Sequence, residues 1–331
     1  MGNLRDVAKK AGVSPSTVSF VMNDQRTSSI SEDTRKRVRA AAAELGYKPH
    51  RIARALATGR TEMVGLWIRS LHSTYYTQFI HDIDALVAQS GYRLMINRNA
   101  GSSAPSPEEE DFPIDSADGI FAIDIPGTVE RFIAKYPDIP IVQVGTHFSE
   151  ATDYVGVELR TATRDALIHL YELGRRRICY LMDGLTYYHG PGDNRMMVYK
   201  STMAELGLPE RFILARNQSY EAAREAIFEA LDSGEPEIDA LACYNDDMAL
   251  SAMCGLHERG VRVPSDVAVT GCDNIPAAEY LWPTLSTIIH PWQDICVLGW
   301  QTLLNRIKEP TRPPQRIELS AKFIPRRSTT G

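Results

Sequence analysis

The sequence predicts an all-α helix-turn-helix head followed by an α/β body of two doubly wound parallel-sheet lobes. Three observations predict it. The first sixty residues hold twelve Lys and Arg against five Asp and Glu, while the rest of the chain holds 24 against 37. A basic head on an acidic body is the electrostatic footprint of a nucleic-acid module joined to something else. Within the head, apolar residues recur at helical spacing in three short stretches, the first two parted by Gly12. From Met63 onward, short apolar runs alternate with helix-like stretches in two successive series, the pattern of parallel sheets covered on both faces.

In the head, Asn3 is placed to cap a first helix, with Asp6 completing a box-like start. Leu4, Val7, Ala8 and Ala11 form its apolar stripe, and Gly12 ends it where a left-handed residue is needed. Ser14 caps a second helix with Pro15 at its first position. Val18, Val21 and Met22 face inward there, and Ser16, Thr17 and Phe20 share the other side. A third helix runs from about Glu32 to Leu45 with Val38, Ala41, Ala42 and Leu45 inward, and Gly46 stops it. Three short helices with a tight turn between the first two fit a helix-turn-helix unit. A solvated basic helix would show the same charge balance, so the pattern and the charge are weighed together.

The stretches "LRDVAKKAGVSPSTVSFVMND" and "ISEDTRKRVRAAAAELGYKPHRIARALATGRT" resemble the head of the LacI/GalR family of bacterial repressors, over nearly all of residues 3–61. The resemblance implies that the second helix lies in the major groove of DNA, its N-terminal residues nearest the base edges. Pro15, Ser16 and Phe20 match the positions that read sequence, and Thr17 and Ser19 those that touch phosphates; Asn23, at the helix end, joins this DNA-binding set. Phe20 departs from the Arg or His often found there. It cannot donate to guanine, so it either packs on a thymine methyl or is simply part of the head's surface.

"PHRIARALATGRT" joins head to body. Arg51 to Ala57 spans about two helical turns, too short to be stable alone in water. The resemblance implies that it folds as a helix on operator DNA, paired with its mate from a second subunit. Leu56 matches the family's leucine wedge, which opens a central base step from the minor groove, and Arg51 and Arg54 are placed for phosphates. The other reading is a flexible linker with an incidental leucine. The expected divisions are a DNA-binding head at 1–49, a hinge helix and linker at 50–61, and an effector-binding and dimerisation body at 62–331.

The body's strand-like runs are "MVGLWI", "YRLMI", "GIFAI" and "IPIVQV", then "RICYLM", "FILA", "DALACY" and "DVAVTG". Two such series suggest two lobes with a cleft between strand C-termini. The resemblance extends along the body through "SADGIFAI", "CYNDDMAL", "VPSDVAVTGCDN", "PTLSTI" and "PRRSTTG", and implies a fold of the periplasmic-binding-protein type. The Ser/Pro/Glu run "SSAPSPEEED" sits where the family often has more helix, so this part of the first lobe is expected to be shortened.

By the same resemblance, Arg195 matches the arginine that forks onto ligand hydroxyls and Asp273 its acidic partner. A planar guanidinium and a carboxylate suit adjacent hydroxyls, as in sugars. Asn245 and Asp246 open a helix at a strand end facing the same crevice, and Tyr75, Tyr76, Tyr220 and Trp282 are candidates for stacking on an apolar sugar face. Each has a second reading. Arg195 and Asp273 also fit a structural ion pair, Asp246 a helix cap, and Tyr75, Tyr76 and Trp282 core or dimer surface. "VGVEL" places Glu158 where many members have aspartate before asparagine, which weakens any guess at the effector.

Other classes fare worse. No apolar run reaches the roughly 18–20 residues of a membrane span, and the N-terminus lacks the form of a signal peptide. Five scattered cysteines without a CxxC argue for reduced thiols, a cytoplasmic home and no structural zinc. The phosphate-loop, GxSxG and HExxH patterns are absent, and the eight histidines show no metal spacing, so neither catalysis nor a cofactor is expected. The expectation is a cytoplasmic, dimeric, ligand-controlled transcription factor: a repressor of sugar-utilisation genes that binds double-stranded operator DNA and a small-molecule effector, with no membrane partner. The alternative keeps the repressor and gives it a nucleoside-type or protein corepressor. The chain's end lacks a leucine heptad, which favours a dimer over a tetramer.

Overall fold

The computed structural model describes residues 2–23, 29–47, 55, 58–69, 71, 73–97, 117–189, 194–234 and 236–331. The run at 102–111 and the junction at 48–54, with Arg51 and Arg54, lie outside them, as does Leu56. The chain forms two compact units, one of Met1–Val64 with Pro113–Asp118 and one of Gly65–Phe112 with Gly119–Gly331. No helix among the described residues is long and apolar enough to cross a membrane.

The first unit holds α1 (Leu4–Ala11), α2 (Pro15–Met22) and α3 (Glu32–Glu44). Their boundaries are set locally. The Asn3 side chain accepts the Arg5 and Asp6 N–H groups while Asp6 takes the Asn3 N–H, a complete capping box. Gly12 ends α1 at φ +64°, and Ser14 caps α2, which opens on Pro15. Val7, Ala8, Ala11, Val18, Val21, Val38, Ala41 and Ala42 make the small core. Where the chain leaves the head, the Asp118 carboxylate accepts the Thr61 N–H (2.7 Å), the Thr61 hydroxyl (2.8 Å) and the Glu62 N–H (3.1 Å).

The body begins with β1 (Met63–Trp67), α4 (Thr74–Gln89), β2 (Arg93–Asn97), β3 (Gly119–Ile123), α5 (Pro126–Lys135), β4 (Ile141–Gly145) and β5 (Asp153–Glu158). The chain then crosses to a second lobe: α6 (Arg160–Glu172), β6 (Ile178–Asp183), α7 (Gly184–His189), α8 (Asn194–Glu205), β7 (Phe212–Ala215), α9 (Tyr220–Ser233), β8 (Ala240–Cys243), α10 (Asp246–Glu258), β9 (Ala268–Thr270) and β10 (Thr287–Ile289). It returns through α11 (Trp292–Lys308) and β11 (Arg316–Ser320), and crosses a last time to β12 (Lys322–Ile324) and α12 (Arg327–Thr330).

The first sheet has the order β11-β5-β4-β3-β1-β2 and the second β7-β6-β8-β9. The pairs β3–β4, β4–β5, β5–β11, β6–β7, β6–β8 and β8–β9 are all parallel. Fully buried runs such as GIFAI and IVQVG read as parallel strands covered on both faces. In both sheets the strand order reverses beside the first strand, between β1 and β3 and between β6 and β8. Such a switch opens a crevice at the strand C-termini. The eight expected strands are present. Four more were not among the expected runs: β5, and β10, β11 and β12 near the later crossings.

Arg306 of α11 donates to both Asp153 oxygens (2.8 and 3.1 Å) and to the carbonyls of Pro310, Arg312 and Pro313, tying β5 to the segment before β11. The Asp153 side chain is fully buried, so removing it strands a nearly buried guanidinium. Asp153→Ala should lower the body's unfolding free energy by about 3–5 kcal/mol in a urea titration. A loss below about 1 kcal/mol would show the pair to be dispensable.

Candidate effector cavity and DNA-reading helix

On the head, Pro15 and Ser16 stand exposed at the start of α2, available to base edges. Thr17 is more committed: its N–H donates to the Ser14 hydroxyl at 3.1 Å, and the two hydroxyls lie 2.9 Å apart. Ser19 accepts from the Asn23 amide at 3.3 Å, and both are half-buried, as is Phe20.

In the body, a cavity of about 560 Å³ lies at the strand C-termini of both lobes, the size of a small-molecule site. Asp124, directly after β3, organises the first-lobe wall. Its Oδ1 accepts the N–H groups of Thr146 (2.6 Å) and His147 (3.0 Å) and the Thr146 hydroxyl (3.1 Å), and its Oδ2 takes the Tyr75 hydroxyl at 3.1 Å. Gly145 makes this cradle possible. Its φ is +111°, and a Cβ there would fall 2.4 Å from Asp124 Oδ1. Burial disfavours the Asp124 charge, but these donors and the neighbouring His147 outweigh it and hold the carboxyl far below its ordinary range. Arg69, after β1, donates to the Asp124 carbonyl at 3.1 Å.

An aromatic cluster floors the cavity. Tyr75 meets Tyr76, Trp292 and His290 edge-on at centroid distances of 5.0, 4.8 and 5.7 Å, and His290 stacks flat on Trp292. Burial, then the Asp124 charge, pushes the Tyr75 hydroxyl well above its usual value, so it acts as a donor.

The second lobe supplies the facing charges. Arg195 of α8 lies 3.6 Å from the Tyr244 ring centre and donates to the Tyr244 carbonyl at 3.0 Å. Asp273 follows β9 and accepts from His290 Nε2 at 3.3 Å; burial raises its carboxyl, with His290 opposing. Asn245 caps α10 through the Met248 N–H at 2.9 Å. Tyr220, at the start of α9, donates to Asp247 at 2.6 Å.

Of the expected residues, Tyr75, Tyr76, Arg195, Tyr220, Asn245 and Asp273 all line this cavity. Two placements need correction. Trp282 is 81% exposed on a different depression, with the Arg327 guanidinium 4.8 Å from its ring centre. Asp246 faces the interior: it accepts the Ile275 N–H (3.0 Å) and the Thr287 hydroxyl (2.6 Å), while its own N–H donates to the Cys272 carbonyl (2.7 Å). Its neighbour Asp247 lines the cavity instead. Asp124, Asp247 and His290 were not foreseen, although a carboxylate directly after a buried strand, as at Asp124, is where such folds bind ligands.

Cys272, Asp273 and His290 bring three donor atoms within 4.8 Å of one another. Burial and the Asp273 charge keep the Cys272 thiol protonated, and the positive charge of Arg195 is close by. These features suit a hydrogen-bonded trio better than a cation site.

The family model for bacterial regulatory proteins of the lacI family matches residues 3–50, and that for a periplasmic binding protein-like domain matches residues 167–329. The HTH-type transcriptional repressor PurR of Klebsiella pneumoniae (strain 342) is 30% identical over 99% of this chain and 97% of its own length. A lac repressor dimer bound to operator and the anti-inducer ONPF shares the fold with a TM-score of 0.84 at 24% identity, covering 100% of this chain and 99% of that one. A transcriptional regulator CelR–cellobiose complex gives a TM-score of 0.68 at 25% identity, covering 99% and 100%.

Burial, with Asp273 and Asp247 nearby, raises the Asp246 carboxyl to about 7. The folded body therefore keeps this proton up to about pH 7, whereas an unfolded chain releases it near pH 4. Between those values the folded state binds more protons, so stability falls as pH rises and levels off above about 7. Asp246→Asn should remove most of a slope of roughly 1 kcal/mol per pH unit between pH 4 and 7, read from urea midpoints. An unchanged slope would assign it to other groups.

Proposed function

The chain belongs to the lacI family of bacterial regulatory proteins, and from that premise we propose that it represses transcription by binding operator DNA through its head and a sugar effector between its lobes. Residues 1–49 serve as the head, 50–61 as a hinge, and 62–331 as the effector-binding and dimerisation body. Pro15, Ser16 and Phe20 meet base edges, while Thr17, Ser19, Asn23, Arg51 and Arg54 position the head and hinge on the backbone, with Leu56 as the minor-groove wedge. The family is one of transcriptional regulators, and regulation is the activity we assign.

The cavity carries the effector reading. Arg195 and Asp273, with Asn245 beside them, present a guanidinium, a carboxylate and an amide to one space, a set that forks onto neighbouring hydroxyls. Tyrosines 75, 76 and 220 offer ring surface to the apolar face of a pyranose or furanose. The same tyrosines suit one other occupant, a flat nucleoside base. The regulated genes follow the ligand; with a sugar they are genes of sugar utilisation.

A second copy of the chain is placed on the outer face of the second lobe. Tyr280 and Trp282 are 87% and 81% exposed there, and Leu250, Met253, Leu281 and Trp282 line an apolar depression. Large exposed aromatics beside apolar surface are the usual core of an interface. Two heads are then held on one near-palindromic site.

Mono- and disaccharides and nucleosides should be screened by thermal shift on the full chain, since a ligand at about 100 times its Kd adds about 2.7 kcal/mol. A sugar should shift the melting temperature, and Arg195→Ala or Asp273→Ala should weaken its titrated affinity by about 10- to 100-fold. Ligand-free operator affinity should stay near normal in both variants. A response to nucleosides alone would favour the second reading, and undiminished sugar affinity in both variants would move the site elsewhere.

A further inference from the structure

Helix α4 of the first lobe begins without a side-chain cap of its own. Ser73 holds the N-cap position, but its side chain makes no capping hydrogen bond. The acceptor comes from the other lobe. Asp247, in the first turn of α10, accepts the Thr74 N–H at Oδ2 (3.2 Å) and the Thr74 hydroxyl at Oδ1 (2.9 Å). Oδ1 also takes the Tyr220 hydroxyl at 2.6 Å.

A carboxylate at a helix N-terminus accepts an otherwise orphaned N–H and faces the positive end of the helix dipole. Charge-assisted bonds of this kind are the stronger ones, and Asp247 is only 7% exposed, so water competes little. The contact joins parts of the chain 173 residues apart. The two residues after Thr74 are Tyr75 and Tyr76, both on the cavity wall.

We infer that Asp247 is a positioning residue: it caps α4 across the cleft, holds the two lobes closed on one another, and sets the angle at which Tyr75 and Tyr76 meet the effector. The last part rests on reading the cavity as the effector site. Opening the lobes strips the Thr74 N–H of its acceptor and leaves Asp247 with Tyr220 alone. An effector hydroxyl that takes the place of Thr74 on Asp247 exchanges an interlobe bond for a ligand bond. Ligand binding and lobe angle are then coupled through one carboxylate.

The ligand-free full chain tests this, so a failed sugar screen leaves the result readable. Nitroxide labels at Glu130→Cys and Glu229→Cys, in a Cys254→Ser background, report the interlobe distance by pulsed electron resonance. Hydrogen exchange reports the first turn of α4. Asp247→Ala should lengthen the mean distance and raise exchange at the Thr74 amide by at least about tenfold, the effect of losing a charge-assisted hydrogen bond. Asp247→Asn, which keeps an acceptor, should restore most of the protection. Should Asp247→Ala not fold, Thr74→Val removes one interlobe bond from the other side and should lengthen the distance in the same direction. An unchanged distance distribution in Asp247→Ala, or in Thr74→Val if that is the variant read, would overturn the inference; so would unchanged Thr74 exchange in Asp247→Ala.

Discussion

The cavity's geometry depends on one buried carboxylate. Asp246 grips the loop that presents Asp273 from both sides, taking the Ile275 N–H on its oxygen while its own N–H reaches the Cys272 carbonyl. A third bond, from the Thr287 hydroxyl, fixes it against β10. The fit is tight enough that a Cβ on Gly271 would fall 2.1 Å from Asp246 Oδ1. Inside this grip the backbone takes unfavourable angles, φ +117° at Asp273 and +52° at Asn274. Each non-glycine residue held this way costs on the order of 1–3 kcal/mol, and persists because surrounding bonds over-determine it. The strain sits where the Asp273 carboxylate lines the cavity, itself buried beside the Asp246 clamp.

The first-lobe wall repeats the device in another form. Asp124, at φ +54°, is held by the N–H groups of residues 146 and 147 and needs Gly145 to come that close. In each lobe, a carboxylate directly after a strand or at a helix start is fixed by backbone donors, and the groups left over face the cavity. Six residues before Asp124 in the chain, Asp118 holds Thr61 and Glu62 at the end of the linker. Only the buried strand β3 separates the two anchors along the sequence.

Legibility in the sequence followed the range of the interactions. The head could be read almost to the residue because its signals are local: Asn3 with Asp6, Gly12, and Ser14 with Pro15. The eight core strands were legible as apolar runs for the same reason. Strand β11 was not, because its exposed, alternating residues pair with β5 more than 150 positions earlier. In the cavity, Arg195 and Asp273 came from the family resemblance, whereas neighbouring carboxylates defeated sequence reasoning. Asp246 and Asp247 are adjacent and the same residue type; only the fold shows that the first turns to β10 and the second to the opposite lobe. Trp282 failed for a related reason, since an aromatic residue on a loop suits a ligand or a subunit surface equally well. His290 read only as one of eight histidines without metal spacing, because its partner, Asp273, is brought to it by the return of β10 alongside β9.

The central claim is that occupancy of the cavity and binding of DNA are two ends of one equilibrium. Linkage makes the claim quantitative, because whatever factor the effector imposes on operator affinity, operator must impose on effector affinity. The direct measurement is a pair of titrations on the full chain: the effector from the thermal-shift screen, with and without saturating operator selected from a random pool, and operator with and without saturating effector. The account predicts the same ratio in both, typically 5- to 150-fold, with an inducer opposing DNA and a corepressor favouring it. Effector affinity unchanged by bound operator would contradict it.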